Sequence, residues 1–111
     1  MNTELKQLIE DAAKLLGLVR QSATDNDTLF QRIDGTSGIV VFNPLDPERG
    51  DLMKVAEAAE LGIDYEFHCV HVPVCNTAFE IDEYEFTKGD YQSLALAVLR
   101  AASAVLKARG E

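Results

Sequence analysis

Two histidines and two cysteines fall within eight residues of this chain, in the run His68-Cys69-Val70-His71-Val72-Pro73-Val74-Cys75. Thiolate and imidazole together make the donor set that zinc prefers, so this run is the first candidate for ligand chemistry. Its spacing argues the other way. On an extended strand Cys69 and His71 share one face while His68 points to the other, whereas closely spaced zinc ligands usually come from a tight turn of the C-x-x-C kind. The spacing better supports Cys69 as a small core residue and the histidines as the polar face of a strand. A Cys69–Cys75 disulfide needs the chain to fold back sharply around Pro73, bringing the α-carbons within about 7 Å, and is not expected in a reducing compartment. Nucleophilic catalysis needs a nucleophile, a base and an orienting acid, and His68 or His71 with Cys75 supplies two of the three.

A second candidate is the acidic run Glu80, Asp82, Glu83 and Glu85. These carboxylates could pair as acids or hold a divalent ion, but such sites usually draw ligands from separate segments. Two plainer roles compete: charge on an exposed strand blocks edge-to-edge aggregation, and an acidic patch can face a basic partner. Phosphate-binding glycine loops are absent from the sequence, since neither G-x-G-x-x-G nor G-x-x-x-x-G-K-[ST] occurs.

These residues need elements to position them. Leu5, Leu8, Ile9, Ala12, Leu15 and Leu16 recur at helical spacing, with Asn2 available as N-cap and Gly17 as the left-handed stop. Lys6, Glu10 and Lys14, four apart, support the solvated side. Leu18 to Gln21 can start a short strand before the polar stretch Ser22 to Thr28. Leu29 to Ile33 and Ile39 to Phe42 read as a hairpin closed by Asp34-Gly35-Thr36-Ser37-Gly38. Because Ile39-Val40-Val41-Phe42 is apolar throughout, that strand is expected inside the sheet, covered on both faces.

Asp46 reads as an N-cap with Pro47 at the first helical position, opening a second helix that runs to about Leu61 and ends at Gly62. Its inward stripe is Leu52, Val55, Ala56 and Ala59. Ile63 to Val74 then reads as one strand, with Tyr65, Phe67 and Cys69 on a single face. Phe79 to Phe86 pairs with it, bulged near Asp82-Glu83. Asp90 caps a last helix reaching about Lys107, whose wide arc of Leu94, Leu96, Val98, Leu99, Val105 and Leu106 implies that it is largely covered. Val98 and Phe67 are expected in one core cluster. The fold class is α+β: a layered α/β sandwich with a mainly antiparallel sheet of about four strands and three helices, in the order α-β-β-α-β-β-α.

That order, the early helix ending in Leu16-Gly17, the Phe42-Asn43-Pro44-Leu45 turn into the second helix, and the closing Ala95-Leu96-Ala97-Val98-Leu99-Arg100-Ala101-Ala102 helix together resemble the phage ABA sandwich family. The resemblance spans roughly residues 5 to 106. It implies an α/β/α layered fold in a small protein encoded by a phage or prophage, without an assigned activity. No functional residue is carried over, because the family's pattern defines none.

The 111 residues fit one domain, and 47% apolar with 26% charged residues is the composition of a chain that folds. The longest nearly apolar run, Leu94 to Leu99, is far short of the ~20 residues that cross a bilayer. Met1-Asn2-Thr3-Glu4 carries no secretory pattern, so a cytoplasmic location is expected. The net charge is −9, and residues 57 to 90 hold nine acids against Lys88 alone. Such a field repels phosphate backbones and disfavours direct nucleic-acid binding. The expectation is therefore an accessory protein that binds a host or phage protein with a basic surface, with no enzymatic activity, no cofactor and no membrane partner, and with a homodimer open. Two alternatives stand beside it. The 57 to 90 segment could inhibit a host defence system by imitating a nucleic acid, or the His68 to Cys75 segment could bind a metal or a small ligand.

Overall fold

The computed structural model describes residues 3–20, 29–33, 38–72 and 83–110. A helix followed by a three-stranded antiparallel meander occurs twice, and a third helix closes the chain. The first unit is α1 (Thr3–Leu15), β1 (Leu18–Arg20), β2 (Leu29–Arg32) and β3 (Ile39–Val41). The second is α2 (Asp51–Ala58), β4 (Gly62–Asp64), β5 (Cys69–His71) and β6 (Glu83–Glu85), and α3 spans Tyr91–Ala108. The α+β class and the order of the three helices are those expected. Instead of one sheet of about four strands, the described residues form two sheets of three, ordered β1-β2-β3 and β4-β5-β6.

The first helix stops as its sequence dictates. Gly17 takes a left-handed φ of 72°, and its N–H and that of Leu16 close back onto Lys14 and Ala13. The expected cap Asn2 lies outside the described residues. On the solvated side Glu10 reaches forward to Arg20, at 2.7 Å, and Arg20 also lies over the Phe30 ring.

The second helix begins later than expected. Asp46 does not cap it, because its carboxylate accepts the Glu48 N–H in a local turn and the chain then breaks at left-handed Gly50. Asp51 organises the start instead: its buried carboxylate accepts from the Asn43 N–H at 2.9 Å and from Arg49 Nε at 2.8 Å. At the other end Leu61 N–H reaches Ala56 O and Glu60 N–H reaches Glu57 O, while Glu60 sits at φ 57°. That is a Schellman stop with glutamate where glycine is usual, and Gly62 already belongs to β4.

The third helix has the predicted cap, with Asp90 accepting from the Ser93 N–H. The Phe42-Asn43-Pro44-Leu45 turn docks on its first turns, where Tyr91 donates to Pro44 O and Gln92 to Leu45 O. This motif is thus a joint of the fold.

One continuous core joins the parts. Leu8, Ile9, Ala12 and Ala13 of α1 meet Ala95, Val98, Leu99, Ala101, Ala102 and Val105 of α3, and Phe30, Phe42, Leu52, Val55 and Val70 fill in from the sheets and α2. The fully buried alanines let α1 and α3 approach closely. Between these helices Ser103 donates to the buried Asp11 carboxylate at 2.8 Å, and Gln7 holds its other oxygen. The first sheet meets the helices through α1 and β1, the second through α3 with β5 and β6. No helix among the described residues is long and apolar enough to cross a membrane.

Candidate functional site

The expected long strand from Ile63 to Val74 is broken by a turn, and that turn assembles the site. Asp64 Oδ1 accepts from the N–H groups of both Glu66 and Phe67, at 2.9 and 3.0 Å, and His68 takes a left-handed φ of 54°. The chain reverses, so Asp64 faces Cys69 across the β4–β5 ladder. Tyr65 and Phe67 therefore lie in a turn, and Phe67, placed by sequence in the core beside Val98, is 73% exposed. Val98 is fully buried as expected. His68 does not join Cys69 and His71; its ring meets Phe86 edge-on, with centroids 5.8 Å apart.

Register and alternation fix the outer face of the second sheet. Asp64, Cys69 and Glu85 form one cross-strand row, and Gly62, His71 and Glu83 the next. Ile63, Val70 and Tyr84 point the other way and pack on the core. Cys69 Sγ lies 3.3 Å from His71 Nε2, and His71 Nδ1 lies 3.4 Å from Glu83 Oε1. Ligand atoms of Asp64, Cys69 and His71 all fall within 4.8 Å of one another.

Cys69 is a free thiol, buried yet outside the hydrophobic cluster, so its expected role as a plain core residue is incomplete. The order Cys69, His71, Glu83 is that of a nucleophile, a base and an orienting acid. The surroundings oppose that chemistry: burial first, then the carboxylates of Glu83, Asp64 and Glu85, push the thiol pKa up from 9.0. A cysteine nucleophile requires the opposite shift.

Of the acidic run, Glu83 and Glu85 sit exposed on this face, while Glu80 and Asp82 lie outside the described residues, as do Cys75 and the residue 34–37 turn; of the bulge expected near Asp82-Glu83, Asp82 lies outside them too, and Glu83 pairs in regular register with His71. Sequence reasoning missed Asp64 and Glu83 as neighbours of the Cys–His pair. The available signal was an Asp able to start a turn without glycine.

The first sheet presents a different surface. Val19, Gln31 and Ile39 form one outward row and Leu29 with Val41 the next, with Ile33 just beyond β2. Val19, Ile33, Ile39 and Val41 are 41%, 61%, 58% and 42% exposed. The expectation that the Ile39 to Phe42 strand is interior is therefore wrong. Among the described residues β3 is an edge strand: Phe42 is buried just past its end, Val40 is half-buried, and Ile39 and Val41 are exposed. A shallow hollow lined by Lys14, Val19, Gln31, Arg32 and Ile33 opens on this face.

Comparison with protein-family models, with curated proteins and with solved structures finds no match for this chain. The class is defined by the fold itself: a small α+β domain of two helix-plus-meander units and a closing helix.

Proposed function

We propose that this domain acts by binding another protein, with the outer face of the first sheet as its contact surface. The observation that carries the reading is the exposed set Val19, Ile33, Ile39 and Val41 on one face of a three-stranded sheet. Folding does not use these side chains, because Phe30, Val40 and Leu18 already supply the inner face. Apolar side chains gathered on one face of a small domain mark an interaction site, here with Gln31 among them as a polar contact. The partner contributes an apolar patch. Basic residues around that patch fit the net charge of −9, since an acidic field draws such a partner in before contact. Within that field, Glu83 and Glu85 are the described members of the acidic run and stand exposed.

The resemblance to phage ABA sandwich proteins supplies a setting: a cytoplasmic accessory protein of a phage or prophage, with an α/β/α layered fold and a host or phage protein as partner. Cys69 being held in its protonated form favours this over a thiol enzyme.

The test is Ile33→Lys/Ile39→Lys, at two exposed positions where the fold should tolerate charge. Sedimentation of the purified proteins reads self-association, and capture from host lysate followed by mass spectrometry reads other partners. A protein retained by the wild type and lost by the double variant supports the reading, and so does a wild-type dimer that the variant dissolves. Identical behaviour of the two proteins in both measurements overturns it.

A further inference from the structure

We propose that Asp64, Cys69 and His71 form a site for one zinc-class divalent cation on the outer face of the second sheet, with Glu83 orienting His71. The site is built by three strands. Asp64 comes from β4, Cys69 and His71 from alternate positions of β5, and Glu83 from β6 opposite His71. Hairpin register therefore holds the residues together, and a metal would not have to gather them from an open chain.

The spacing fits the ion. With Zn–S near 2.3 Å and Zn–N near 2.0–2.1 Å, ligand atoms at a tetrahedral centre stand about 3.6 Å apart. Cys69 Sγ and His71 Nε2 are at 3.3 Å, and all three ligand atoms lie within 4.8 Å. Reaching the tetrahedral spacing requires the widest separation to shrink by up to about 1.2 Å and the Cys69–His71 pair to widen by about 0.3 Å.

The supporting contacts match those of metal centres. His71 presents Nε2 to the site and Nδ1 to Glu83 Oε1, the carboxylate–histidine arrangement that fixes a ligand imidazole. Asp64 Oδ1 is fixed by two turn N–H groups, and a carboxylate has a second oxygen to offer. On the β4 side of His71 stands Gly62, which places no side chain beside the imidazole. One thiol, one imidazole and one carboxylate suit zinc better than calcium or magnesium, and three protein ligands leave a fourth position open.

The experiment uses the full chain, stripped with chelator and titrated with zinc against a chromophoric competitor, then with cobalt as a spectroscopic stand-in. The wild type should take up one equivalent, and its cobalt form should show a sulfur-to-metal charge-transfer band. Cys69→Ser should abolish the band. His71→Gln should lose most of the affinity, and Glu83→Gln should weaken binding roughly 10- to 100-fold at unchanged stoichiometry. Cys75→Ser should leave band and affinity in place. Circular dichroism of each metal-free variant checks the fold, and if Cys69→Ser unfolds, the half-exposed His71→Gln carries the test. No uptake by the wild type, uptake unaffected by Cys69→Ser and His71→Gln, or a band that vanishes with Cys75→Ser would each overturn the site.

Discussion

Ser103 of α3 donates a 2.8 Å hydrogen bond to the buried carboxylate of Asp11 in α1, joining two helices whose other facing residues are mostly alanine and leucine. The alanine surfaces bring the helices close but are nearly featureless, so a polar pair can fix how they slide and rotate. Ser103→Ala strands one carboxylate oxygen and should cost about 1–3 kcal/mol. A double-mutant cycle with Asp11→Ala, read by urea denaturation, should give a coupling of about 0.5–3 kcal/mol. Additive effects would show that the pair contributes nothing specific.

Glu60 closes α2 in a left-handed conformation that a side chain occupies at a cost of about 1–2 kcal/mol. Its N–H and that of Leu61 complete the stop, so the backbone has reason to stay there. Glu60→Gly should raise stability by about 1 kcal/mol, part of the relieved strain being offset by the freer unfolded chain. Thermal unfolding measures it, with Glu60→Ala as a control that keeps the strain and should not gain.

How far these features were legible follows from what sets each of them. The inward stripe of α2, the glycine stop of α1 and the Asp90 cap depend on neighbours in sequence, and all are present. Phe67 was misplaced because alternation cannot distinguish one strand from two joined by a turn. The turn at Asp64 uses side-chain hydrogen bonds and a left-handed histidine in place of glycine. Ile39 and Val41 were misplaced because an apolar strand reads as interior whether the fold or a partner covers it. The Cys69–His71 pairing followed from alternation, but its neighbours Asp64 and Glu83 depend on register, which local sequence does not specify.

Val98 sits fully buried in α3 among the residues that join all three helices. Val98→Asp introduces a charge with no partner there, at a cost comparable to a stability of about 5–15 kcal/mol. The variant should be unfolded or molten by near-ultraviolet circular dichroism. A cooperative transition at the wild-type temperature would mean that this face of α3 is not in the core.

Glu83 and Glu85 are exposed, so Glu83→Gln/Glu85→Gln should leave the fold intact. If their charge guides a basic partner, the change should lower the association rate and flatten its dependence on salt, with little effect on dissociation. If they only protect a strand edge, partner kinetics should be unchanged and self-association should increase. Stopped-flow or surface-based kinetics at two salt concentrations separates the two roles.

The thiol of Cys69 gives the domain a pH dependence whose sign can be worked out. Burial, and then Glu83, Asp64 and Glu85, raise its pKa above 9.0, so the folded protein holds this proton more tightly than the unfolded chain does. A group raised in this way contributes stability that is complete below the unfolded value and is lost as pH rises through it toward the folded value. Metal-free protein should therefore lose stability above about pH 9. Cys69→Ser should remove the first part of that loss. A further loss, above 10.0, comes from Tyr91, whose hydroxyl is raised by burial and by Asp46 and Asp51 while it donates to Pro44 O. In a Cys75→Ser background, alkylation of Cys69 should be slow at neutral pH, with its midpoint above 9.0 in the folded protein and near that ordinary value in urea. Glu83→Gln should move the folded midpoint down, because it removes the largest of the three repelling charges. A folded midpoint at or below 9.0 would show that the thiol is neither desolvated nor crowded by carboxylates, and would reopen its use as a nucleophile.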